Sequence, residues 1–179
     1  MSLDRTAAPD RAGEAPAELS FADRRAILEA NLTRQTEAIR AADSKLVLLV
    51  PTTTAMAGVL AALLRGAGSH GLPALYVVIA ALPILFAYFF MGLTLVPRVR
   101  RDSRSLLFFG AVAGRDPAAH RADFAALTPA AYLDDLVDQC HASAAIARVK
   151  YRHVRHAYMA FFAALPFWAL AIYLLSGPR

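Results

Sequence analysis

The sequence predicts an all-α membrane protein with three transmembrane helices, the first and third extended into the cytoplasm as long helices. Three observations predict it. Residues 46–64, 72–96 and 157–175 contain no Asp, Glu, Lys or Arg, so every charge of the 179-residue chain falls outside them. Each run reaches the roughly 20 residues that a helix needs to cross about 30 Å of hydrocarbon. Finally, an apolar rhythm of threes and fours runs into the first and third spans from their charged side without a break. The average composition, 58% hydrophobic and 18% charged, conceals this partition. An ordinary water-soluble enzyme domain is excluded.

Residues 1–19 are rich in Ala, Pro, Gly and charge, which predicts a disordered tail. No apolar segment precedes the first span, so no secretory signal peptide is expected. In residues 20–45, Ser20 can cap a helix, with Asp23 three residues on. Phe21, Leu28, Leu32, Gln35, Ile39, Ala42 and Leu46 then form a heptad-like stripe, interrupted by Arg25. The spacing predicts one helix from about Ser20 to Leu64, its charged half protruding about 39 Å.

The first span is 46–64, the external loop 65–71 and the second span 72–96. Pro51, Pro83 and Pro166 each remove an N–H donor from a span and strand the carbonyls of Val47, Ile79 and Phe162. Proline is tolerated in membrane helices, so these are not by themselves hinges. Gly58 and Ala62, with Ala57 and Ala61 beside them, have the small-xxx-small spacing that lets helices approach closely.

Residues 97–156 form a cytoplasmic basic segment and a long helix. The apolar run 106–110 is too short to cross a bilayer and predicts a strand-like or re-entrant piece packed on the stalk. Residues 114–124 (GRDPAAHRADF) read as loop. The long helix starts at Thr128-Pro129, a cap followed by proline in the first turn. Leu133, Val137, Cys140, Ala144, Ala147, Tyr151, Val154 and Tyr158 carry its stripe into the third span, 157–175, and the external tail is 176–179. Both long helices run the same way, so they can pair as a stalk. Tyr76, Tyr88, Tyr158 and Tyr173 are candidate interfacial anchors, whereas Trp168 lies too deep for that role.

Orientation follows from the 19 Lys and Arg: seven lie in 1–45 and ten in 97–156, against one each in the external loop and tail. This distribution predicts a multi-pass inner-membrane protein with a cytoplasmic N-terminus. It also accounts for the net charge of +5 without a nucleic-acid partner.

Little in the chain resembles catalytic machinery. Asp134 and Asp138 share a helix face near Asp135, but no complementary ligands are evident and they read as a solvated face. His153 and His156 stand at metal-ligand spacing, yet amid Lys150, Arg152 and Arg155 they read as interfacial. Cys140 and His141 are neighbours whose side chains diverge on a helix, which disfavours a thiol nucleophile. No phosphate loop or hydrolase motif occurs, so neither a catalytic nor a metal site is expected. Arg98, Arg100, Arg101 and Arg104 form the cluster suited to an anion, because guanidinium groups hold phosphate bidentately. The same residues also suit contact with lipid headgroups.

The stretch Asn31-Leu32, Gln35 and Ile39-Arg40-Ala41-Ala42-Asp43-Ser44-Lys45 leads directly into the first span. Later come Leu107-Phe108-Phe109-Gly110-Ala111-Val112-Ala113, then Gln139, Ile146-Ala147 and Lys150-Tyr151 before the last span. In this order and topology the chain, over about residues 25–175, resembles the transmembrane effector family of the bacterial Pycsar antiphage systems (PycTM). The resemblance implies a non-enzymatic effector with no cofactor. Its activating ligand would be a cyclic pyrimidine nucleotide, cCMP or cUMP, made by a partner cyclase. It would impair inner-membrane integrity and so cause abortive infection. Three spans are too few to enclose a wide pore, so a sizeable leak predicts a homo-oligomer. The alternatives are a three-span scaffold or assembly protein without nucleotide binding, and a holin-like lysis protein. The long cytoplasmic helices argue against the holin.

Overall fold

The computed structural model describes residues 18–67, 71–96 and 105–176. The helices are α1 (Phe21–Ser44), α2 (Leu46–Ala67), α3 (Leu72–Leu95), α4 (Phe109–Val112), α5 (Pro117–Ala125) and α6 (Pro129–Leu175), with no strand among the described residues. The rod formed by α1 and α2, together with α3 and α6, supplies three helical segments long and apolar enough to cross a membrane. The all-α, three-span architecture expected from the charge-free runs is the one observed.

Ser20 begins α1 by accepting the Asp23 N–H at 3.2 Å while its hydroxyl donates to the Asp23 carboxylate at 2.6 Å. The stripe of Leu28, Leu32, Gln35, Ile39 and Ala42 faces inward, whereas Phe21 is exposed. As the sequence predicts, one rod of 45 residues runs from Phe21 to Arg65, with Lys45 a one-residue turn that keeps right-handed helical backbone angles (φ −63°, ψ −21°) between α1 and α2. The Lys45 carbonyl accepts the Tyr158 hydroxyl at 2.8 Å. Beyond it, Pro51 withholds an N–H from the Val47 carbonyl. The hydroxyls of Thr52, Thr53 and Thr54 donate to the carbonyls of Leu48, Leu49 and Val50 at 2.7–2.8 Å. Such back-bonding weakens a helix ladder and favours a bend. Pro83 and Pro166, like Pro51, lie inside unbroken helices.

Between the spans, α3 packs most extensively on α6 and also on α2, while α1 lies along α6. Near the α1–α2 turn, Ala42, Leu46, Leu49, Ala87, Met91, Val154 and Ala157 form one buried cluster. Further along the spans, Met56, Leu60, Val77, Ala80, Ile84, Ala164 and Ala171 form a second. Alanines at the contacts let backbones come close, and dispersion then replaces the hydrophobic drive that hydrocarbon cannot supply. The outer faces carry Leu48, Leu85, Phe86, Phe89 and Phe162, all exposed. A surface this apolar is stable only against lipid.

Three local expectations are corrected. The run 106–110 packs on α6 as expected but is not strand-like. It is a turn leading into α4, in which Ser105 Oγ accepts the N–H groups of Leu107 (3.1 Å) and Phe108 (2.8 Å). Residues 117–125 are helix rather than loop: the Asp116 carboxylate caps the Ala119 N–H at 3.0 Å, and Arg115 pairs with Asp123 at 2.8 Å. In the lower part of α6, Leu136 and Cys140 face inward, while Val137 and Ala144 are exposed. Leu and Val stand side by side there, and only the position of α1 decides which one is covered.

Candidate functional site

Thr128 accepts the Ala131 N–H at 3.2 Å and Pro129 occupies the first turn, so α6 starts with its phase fixed. That phase points Asp135 and Gln139 at the turn after Ser105. The Asp135 carboxylate accepts the Leu106 N–H at 3.0 Å. The Gln139 amide donates to Ser105 Oγ at 3.3 Å and to the other Asp135 oxygen at 3.4 Å. This network pins an irregular segment to α6 and leaves an open cleft of about 670 Å³ between them. Asp134, Asp138 and His141 line it, with Leu106, Phe108 and Ile146 as its apolar walls. An ionised carboxylate only accepts, so the lining favours ligand groups that donate.

The anion-binding candidates Arg98, Arg100, Arg101 and Arg104 lie outside the described residues. Arg104 directly precedes Ser105 in the chain. Asp134 and Asp138, which read in sequence as a solvated face, belong to the rim of the cleft. Ser105 and Asp135 were not separable from ordinary polar residues in sequence and Gln139 stood out only through the family resemblance, since their meeting depends on a turn that no motif announces.

A series of polar contacts ties α6 to α1, from alongside this cleft toward the spans. Tyr132 donates to Glu29 at 2.8 Å, and this bond, reinforced by burial, raises the Tyr132 pKa. Cys140 Sγ donates to the Leu28 carbonyl at 3.4 Å, and burial pushes the thiol pKa up, which disfavours the nucleophilic thiolate. Lys150 Nζ bonds both Asp43 carboxylate oxygens, at 2.6 and 2.8 Å. The Lys45 ammonium sits 4.7 Å from the Tyr151 ring centre.

Within the spans, Tyr88 donates to Thr54 at 2.8 Å and Trp168 Nε1 donates to the Met56 carbonyl at 3.1 Å. Tyr88 and Tyr158 are therefore used inside the bundle, whereas Tyr173 points outward. His153 and His156 pack on the Phe90 ring, with centroids 6.2 and 5.0 Å away. Among the described residues no three His, Cys, Asp or Glu side chains converge as a metal site would require.

Cys140 is the sole cysteine and is buried beneath α1, so its alkylation rate reports how often α1 leaves α6. Tyr132→Phe removes one hydrogen bond from that contact and should raise the maleimide labelling rate at neutral pH by roughly threefold to tenfold. Rapid labelling of the unaltered protein would show that α1 does not cover the thiol.

A family model described as the Pycsar effector protein domain matches residues 27–177 of the chain. Comparison with curated proteins and with solved structures finds no match.

Proposed function

The chain belongs to the Pycsar effector family PycTM and is a membrane-spanning effector of antiphage defence, and from that premise we propose that a cyclic pyrimidine nucleotide, cCMP or cUMP, activates it to impair the inner membrane. The nucleotide comes from a partner cyclase, and the loss of membrane integrity ends growth before phage are released. The effector acts without catalysis. Its N-terminus, the α1–α6 stalk and the cleft lie in the cytoplasm, as the lysine and arginine distribution supports. The basic segment Arg98, Arg100, Arg101 and Arg104 draws the anionic nucleotide toward the cytoplasmic face of the bundle.

One observation carries this reading. A single 47-residue helix, α6, holds the cleft near one end and a membrane span at the other. A ligand that prefers one placement of α6 against α1 therefore shifts the span as well, to the extent of its differential affinity for the two placements. The bundle interior is filled by Met56, Leu60, Ile84 and Met91, so one copy offers no lumen. Activation accordingly proceeds through assembly of several copies, or through rearrangement at the Lys45 turn.

The test is uptake of a membrane-impermeant dye by cells carrying the chain, with and without an active cyclase. Uptake is expected only with both. Intact membranes in the presence of accumulated nucleotide would remove the proposal.

A further inference from the structure

One exposed face of α6 changes charge along its length. Asp134, Asp138, His141, Ala145, Arg148 and Arg152 are all exposed. At 100° per residue they fall within about 40° of one line, which extends about 27 Å. The acids lie on the rim of the cleft. The bases stand further along, on an open helix face beside Ala144, Ala145 and Val149. His141 lines the cleft and stands between the acids and the bases. Helical side chains lean toward the helix N-terminus, which aims Arg148 back toward His141. Neither Arg148 nor Arg152 has an ion-pair partner among the described residues.

This face suits a small ligand with donors at one end and an anion at the other, and a cyclic nucleotide has that polarity. Its phosphate is repelled by Asp134 and Asp138 and attracted by Arg148, with His141 able to donate a hydrogen bond to it, which fixes its direction along the helix. The base is then left in the cleft, between Leu106, Phe108 and Ile146, with its polar edge toward the carboxylates. There the two pyrimidines differ. Cytosine presents an exocyclic amine, a donor, where uracil presents a carbonyl oxygen. Both Asp135 oxygens are already occupied, by the Leu106 N–H and the Gln139 amide. Asp134 and Asp138 remain to meet the base edge: they accept the projecting cytosine amine, whereas uracil offers them only its N3–H, set between two carbonyl oxygens that they repel. We propose that this face of α6 is the nucleotide site and that its acidic cleft selects the cytosine nucleotide over the uracil one. The assignment rests on the reading that a cyclic pyrimidine nucleotide activates the chain.

The experiment is calorimetric titration of the full-length protein in lipid nanodiscs with cCMP and with cUMP. The unaltered protein should bind cCMP about tenfold or more tightly than cUMP. Asp134→Asn and Asp138→Asn, both at exposed positions, should each narrow that preference, because an Asn amide can donate to the uracil oxygen. Arg148→Ala should weaken both ligands by a similar factor. Equal or reversed preference overturns the selectivity, and binding that ignores all three substitutions overturns the site. Either result leaves direct nucleotide activation standing. Failure of the unaltered protein to bind either nucleotide overturns both the site and the activation reading.

Discussion

Ala157→Leu is expected to lower the melting temperature of the detergent-solubilised protein and to reduce its accumulation in membranes. Ala157 is fully buried, in a cluster with Ala42, Leu46, Leu49, Ala87, Met91 and Val154. Those residues come from α1, α2, α3 and α6, so the position is where all four helices converge. A leucine adds three carbons where neighbouring helices already touch, and the backbones must separate. Overpacking of this kind costs about 1–3 kcal/mol. For a chain of this length that is about 2–4 °C per kcal/mol. Ala163→Leu, on the outward face of the same helix, supplies the control and should be nearly silent, since its side chain enters lipid. The same separation loosens α1, so Cys140 labelling should rise with Ala157→Leu and stay slow with Ala163→Leu. An unchanged melting temperature for Ala157→Leu would show that the helices do not meet at this alanine.

The spans were legible because hydrocarbon imposes a rule no single residue can evade: nineteen or more positions without a charge. The start of α6 was legible for a local reason, the pair Thr128-Pro129. The Lys45 turn was not, because nothing in the sequence marks the meeting of its carbonyl with a hydroxyl 113 residues away on Tyr158. The missed helix α5 had a signal of its own in Asp116-Pro117, a cap and a first-turn proline. That signal was outweighed by Gly114 and the proline itself, which also punctuate loops. Trp168 shows what depth alone conceals. Its place in the sequence excluded an interfacial anchor, yet only the approach of α2 reveals that its indole N–H is satisfied by the Met56 carbonyl. The cleft was illegible for the same reason as the turn. Asp135 and Gln139 sit one helical turn apart, which sequence supplies, but Ser105 is 34 residues from Gln139 and joins them through tertiary packing. What sequence did isolate was charge: the acids at 134, 135 and 138 and the bases further along α6 were visible as types before they were visible as one face.

Asp43→Ala should destabilise the protein more than Lys150→Met, although the two substitutions break the same pair. The Lys150 side chain is 17% exposed and that of Asp43 is 40% exposed. Removing the carboxylate leaves an ammonium that water reaches poorly, beside Tyr151 and the first buried cluster. Removing the ammonium leaves a carboxylate that can still hydrate. Stranding a partly buried charged partner costs about 1–3 kcal/mol, with Asp43→Ala expected toward the upper end and Lys150→Met toward the lower. Combining them removes both charges, and the double variant should recover part of what Asp43→Ala lost, since the effects of contacting residues do not add. The pair lies where the charged half of α1 meets the turn into α2, two residues before Lys45. If a signal passes along α6 into the spans, this is a fixed point about which α1 and α6 must agree. Cyclase-dependent dye uptake should therefore fall with Asp43→Ala and partly return in the double variant. Equal melting temperatures for the two single variants would contradict the asymmetry of burial. Loss of stability with undiminished dye uptake would show that the pair holds the stalk together without carrying the response.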